Sequence, residues 1–166
     1  YVPDVMGIEL LQSLSEAMKV ANTAKQNAEG ERYAGDIYNA LDALITKYTA
    51  TPPTAPSAFD AVAKELTDAA TAMDNHRTLC DDFDKLPAQL MANIDKYAES
   101  KYNTLPAYTN LVDAFNKYAT VEEETVNVDG VDVTKRVAKA NNVTDDSELK
   151  AEMMRIISAD RKSTRL

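Results

Sequence analysis

His76 and Cys80 lie four residues apart, the spacing of half a zinc site on one helical face. The chain holds no other His and no other Cys, so Asp81 and Asp84 would have to complete the metal shell. Both residues also fall on an apolar stripe with Met73 and Phe83. A core His and a core Cys are the commoner outcome of such a pattern, with Cys80 a buried, inert thiol. The same scarcity removes Ser-His-Asp and Cys-His catalysis of familiar form, because a lone His would need an orienting acid inside a helical core. The expectation is therefore no catalytic residue, no metal and no cofactor.

Acids offer a second chemistry. Glu122, Glu123, Glu124, Asp129 and Asp132 are close in sequence and could collect calcium. They lack the Gly and terminal Glu positions of a helix-loop-helix calcium loop, and a solvated acidic loop is the plainer expectation. Carboxylate pairs for glycoside hydrolysis cannot be picked out by counting, since acids are abundant throughout. The chain has no Trp to form a flat sugar platform, but it has eight Tyr. Tyr48, Tyr97 and Tyr118 fall at expected helix ends, where they would close the core with the hydroxyl in water. Tyr33, Tyr38 and Tyr102 remain as candidate surface aromatics for a glycan. No Gly-rich phosphate loop is present, and Asn142-Val143-Thr144 is a formal glycosylation sequon.

Composition limits the partners. The 166 residues are 45% hydrophobic and carry 27 acids against 18 bases, a net charge of −9. That length suits one domain or two small lobes and can bury roughly two-thirds of its unfolded surface. An acidic chain of this kind lacks the electrostatic footprint for nucleic acid or an anionic membrane. Its one basic concentration, Arg155, Arg161, Lys162 and Arg165, is short and interrupted by Asp160. No apolar run approaches the ~20 residues of a membrane span. The opening Tyr1-Val2-Pro3 has neither an initiator Met nor a signal-like apolar region, as expected of a mature or excised fragment. A single cysteine permits no internal disulfide and does not decide the compartment.

The elements that would carry these residues are mostly helices. With 25 Ala and only four Gly and six Pro, the chain favours closely packed helices over many tight turns. Leu10, Leu14, Ala17, Ala21, Ala24 and Ala28 make a first stripe, widened by Ile8, Leu11 and Met18, with Gly30 as its C-cap. Ala34, Ile37, Leu41, Leu44 and Tyr48 make a second. Thr51-Pro52-Pro53-Thr54-Ala55-Pro56 should run extended. Ser57 is expected to cap a third helix with Asp60 as box partner, carrying Phe59, Val62, Leu66, Ala69, Met73, His76, Cys80 and Phe83. Glu65 lies on its opposite face. Pro87 predicts an end near Leu86, because proline disfavours helix in the preceding residue. A fourth helix would carry Leu90, Ile94 and Tyr97, and a fifth, after Thr104-Leu105-Pro106, Tyr108, Leu111, Phe115 and Tyr118. The period then changes to two, with Val126, Val128, Val131 and Val133 around Asp129-Gly130, a strong hairpin signal for residues 125–134. Asp145 with Glu148 caps a final helix bearing Leu149, Met153, Ile156 and Ile157.

Three segments share one pattern: LDALITKY from Leu41, LMANIDKY from Leu90 and LVDAFNKY from Leu111. They are either convergent helix endings or traces of duplicated helical hairpins. Segments such as AMKVANTAKQNAEGERYAGDIYNALDALITKY and AFDAVAKELTDAATAM resemble FIVAR-like helical modules of bacterial, Bacteroides-type, exported cell-surface proteins. The resemblance covers about the first 120 residues, and the valine hairpin and final helix depart from it. It implies a surface role without catalysis, beside carbohydrate-active or adhesive domains.

The expected architecture is all-α, an elongated up-and-down bundle of about five to six helices with a small β-hairpin. Residues 1–122 would form the bundle. Residues 123–166 would add the hairpin and a final helix, packed on the bundle or on a neighbouring domain. The expected function is a helical spacer or interaction module of an exported multidomain surface protein. The alternative is a carbohydrate-binding module using exposed Tyr. Expected partners are neighbouring domains of the same chain, another surface protein or a glycan, with no nucleic acid and no membrane span. The expected location is extracellular or on the cell surface, with any lipid anchor on a segment outside this sequence.

Overall fold

The computed structural model describes residues 2–141, 143 and 145–163, and among these the chain is mostly helical with one two-stranded antiparallel hairpin. The helices are α1 (Val2–Asn27), α2 (Asp36–Ala50), α3 (Pro56–Ala98), α4 (Pro106–Tyr118) and α5 (Asp146–Ser163). Strands β1 (Ala119–Val128) and β2 (Val131–Ala140) lie between α4 and α5, and a 3-10 turn, Glu31–Tyr33, follows α1. The chain divides into two compact units, residues 1–78 and 79–166, with the division inside α3. Hydrophobic period alone puts the boundary at 122, where the helical pattern gives way to the strand pattern.

The first unit is built on the expected stripes. Leu14, Ala17, Ala21, Ala24 and Ala28 of the first stripe are buried together with Leu41 and Ile45 of α2 and with Phe59, Val62, Leu66 and Met73 of α3. Small alanines allow backbones to approach closely, and larger residues on the facing helices fill the space. Met18 packs on this core, but Ile8 and Leu11 are 58% and 55% exposed, off the face that meets it. Gly30 is not the immediate cap. It stands at φ 128°, a conformation side chains rarely adopt, and starts the 3-10 turn. Ala34 precedes α2 and is exposed, and Ile45 takes the buried place expected of a neighbouring position.

Two boundary expectations are corrected. Helix α3 starts at Pro56, where a proline's fixed φ and missing N–H suit the first turn, so Ser57 lies inside the helix and is not its cap. It also continues through Pro87 to Ala98, merging the expected third and fourth helices. The physical reason is phase. Met73, His76, Cys80, Phe83, Pro87 and Leu90 are all buried at alternating steps of three and four, so Pro87 itself lies on the stripe. Burying Phe83 and Leu90 on one continuous face outweighs the local preference against helix at Leu86.

The second unit buries Cys80, Phe83 and Leu90 of α3, Leu111, Phe115 and Tyr118 of α4, and Leu149 and Ile156 of α5. Asp145 caps α5, its Oδ1 accepting the Glu148 N–H at 2.9 Å. The three repeated segments end α2, α3 and α4, with Leu41, Leu90 and Leu111 all buried. In each the Lys ammonium stands 4.9–5.2 Å from the following Tyr ring. The three segments thus end three helices in the same way.

Candidate functional site

The hairpin leaves five of its valines exposed. Asp129 and Gly130 turn it with φ of 51° and 82°, both positive as a type I′ turn requires. Asn127 braces that turn, its Oδ1 accepting the Gly130 N–H and its Nδ2 donating to Asp132 Oδ1, each at 3.1 Å. Ten residue pairs close the ladder from Ala119↔Ala140 to Val128↔Val131. The hairpin is therefore twice as long as residues 125–134, because the strands continue through Glu122–Glu124 and Lys135–Lys139. That stretch shows no apolar alternation, since one of its faces is lined with paired charges.

Alternation sorts the side chains onto two faces. One face leans on the second unit's helices: Ala119 and Ala138 are buried, and Arg136 Nη2 donates to Asp95 of α3. That bond holds the Arg136 guanidinium above its ordinary pKa. The base is tied further by Asn141, whose N–H donates to the Tyr118 carbonyl at 2.8 Å and whose Nδ2 donates to the Lys117 carbonyl at 3.0 Å. The opposite face carries Val126, Val128, Val131 and Val133 at its tip, 44%, 52%, 63% and 46% exposed. Val126 pairs with Val133 and Val128 with Val131, so the four form one contiguous apolar patch. Below them on the same face, β1 presents Glu122 and Glu124 and β2 presents Lys135 and Lys139. Lys139 Nζ stands 2.9 Å from Glu122 and 3.4 Å from Glu124, and the hydrogen bond to Glu122 leads in raising its pKa.

This geometry corrects the acidic loop and its calcium reading. Glu122–Glu124 are strand residues, and a period of two points consecutive carboxylates to opposite faces. Asp132 is engaged by Asn127. Among the described residues no group of three or more His, Cys, Asp or Glu converges to hold a metal ion. His76 and Cys80 are 1% and 0% exposed on α3, as the core reading expects.

The candidate aromatics divide between the two units. Tyr33 and Tyr38 are half-buried against the core of the first unit. Tyr102, in the second unit, meets Tyr97 edge-on, with centroids 6.4 Å apart and rings inclined at 77°. Tyr118 is buried instead of wet at its hydroxyl, which accepts from Arg155 Nη1 at 2.9 Å. Tyr48 is half-buried and donates to Glu65 Oε2 at 2.5 Å, so Glu65 is not an idle surface acid. The Asn142-Val143-Thr144 sequon falls outside the described residues.

Sequence reasoning missed an open groove of about 350 Å³ between α4 and α5, lined by Asp113, Lys117, Tyr118, Arg155 and Lys162 among others. Its lining is net basic, with Lys117, Arg155 and Lys162 against Asp113, and Arg155 is 4.0 Å from the buried Glu152. Nothing in a single sequence signals that two separate helices place these charges together. No helix among the described residues is long and apolar enough to cross a membrane. In comparisons with known proteins, no family model, no curated protein and no solved structure matches this chain.

Proposed function

We propose that this chain is a helical spacer and interaction module, without catalysis of its own, from an exported multidomain surface protein of the FIVAR-like kind. The observation that carries the reading is the valine patch of the hairpin. Leu41, Leu66, Leu90, Leu111 and Leu149 of the helices are buried, whereas Val126, Val128, Val131 and Val133 stay 44–63% exposed on one face. A two-stranded sheet gains little stability from such a patch in water, so its value lies in contact with another surface.

The competing carbohydrate reading needs an exposed aromatic face, and the edge-on Tyr97–Tyr102 pair is a poor stacking surface for a sugar ring. A glycan array on the 166-residue chain tests the choice. The interaction reading expects no saturable retention. Saturable binding that disappears on Tyr102→Ala, with the melting temperature unchanged, would replace it with the carbohydrate reading. Export is tested on intact source cells, where added protease should degrade the protein without lysis. Protection until lysis would contradict the surface location.

A further inference from the structure

We infer that the partner of the valine face is a second copy of this chain, with the two hairpins stacked face to face. The inference rests on the reading of the hairpin as the contact surface and names its occupant.

The two edges of the hairpin and its open face offer different modes of association. Addition of a strand to an edge is opposed by the charges along both strands, including Glu122, Glu124, Lys135 and Lys139, a usual defence of exposed edges. The open face is apolar at its tip and charged only toward its base. The charges there are sorted by strand, with acids on β1 and bases on β2.

That sorting is self-complementary under one symmetry. Let two hairpins face each other at the ordinary sheet spacing of about 10 Å, related by a two-fold axis parallel to the strands. The rotation exchanges left and right, so β1 of each copy lies over β2 of the other. Valines then meet valines at the tip. Glu124 of one copy faces Lys135 of the other, and the reverse, while Glu122 faces Val137 with Lys139 one same-face position nearer the base, opposite Thr120. A two-fold axis running across the strands would also join the valines but would carry the charged bases apart. The side that leans on α3, where Arg136 donates to Asp95, is turned away from the stack.

The patch is small beside the roughly 800 Å² per partner of a standard stable interface, so the dimer is a weak one. Sedimentation velocity on the whole chain, from about 10 µM to about 1 mM, covers the relevant range. The wild type should move from monomer toward dimer as concentration rises. Val128→Ser with Val131→Ser should abolish the change while leaving the charges in place. Glu122→Lys with Glu124→Lys makes both columns basic, and Lys135→Glu with Lys139→Glu makes both acidic. Each of these variants alone should stay monomeric, and an equimolar mixture should form a heterodimer.

A wild type that is monomeric throughout overturns the assignment, as does a serine variant that associates like wild type. Charge variants that self-associate as well as wild type, or a mixture that associates no better than its components, overturn it too. The broader contact-surface reading fails by a different result. A serine variant melting many degrees lower would make the valines part of the fold.

Discussion

Tyr48 and Glu65 show how one hydrogen bond fixes a residue's behaviour. The hydroxyl donates to the carboxylate, and that bond leads in raising the Tyr48 pKa above its ordinary 10.0. The folded chain thus holds this proton more tightly than the unfolded chain. The contribution is present below pH 10 and is lost as pH rises through the higher folded value. In a titration followed by phenolate absorbance, Tyr48 should ionise late, and Glu65→Gln should bring it back toward its ordinary value. An unchanged curve would mean that the bond is not populated. Leu66 is fully buried mid-stripe, and Leu66→Ala should cost about 2–5 kcal/mol in denaturant unfolding. A cost below about 1 kcal/mol would remove α3 from the seam of the first unit. Cys80, also fully buried, should react with a thiol reagent slowly in native protein and quickly once denatured. Equal rates would contradict its burial.

Among the elements, α3 shows where local and global preferences conflict. Pro87→Ala restores an N–H to the helix interior, a gain of up to ~3 kcal/mol. It also removes two buried methylenes, about 1.6 kcal/mol, and frees the unfolded chain by roughly 0.4–1 kcal/mol. Stability should change by less than about 1 kcal/mol, with helical circular dichroism retained. A loss of several kcal/mol would mean that the pyrrolidine ring itself is needed by the packing. The stripes were legible because burial repeats every three or four residues, from Leu14 to Ala28 and from Phe59 to Phe83. The continuity of α3 was legible too, had Pro87 been counted as a stripe position and not only as a breaker. The length of the hairpin was not, since Glu122–Glu124 read as a polar loop until β2 supplies Lys135 and Lys139 opposite. The Arg155–Tyr118 bond joins residues 37 apart in sequence, and no local signal announces it.

At the scale of the whole molecule, each compact unit has its own buried core, and Val121, Val126, Val128, Val131 and Val133 of the hairpin stay exposed, as do Ile8 and Leu11 of α1 and Met154 of α5. The valine signal at residues 126–133 was legible as a turn and two strands, but its exposure was not. A lone alternating segment does not reveal which of its faces a helix will cover. On the proposed reading, the valine face serves a partner and not the fold. Calorimetric melting of Val128→Ser/Val131→Ser beside wild type, in solution dilute enough to be monomeric, tests it most directly. Surface substitutions of this kind should leave the melting temperature within about 3 °C of wild type. A drop matching that of Leu66→Ala would contradict the claim and return the four valines to the core.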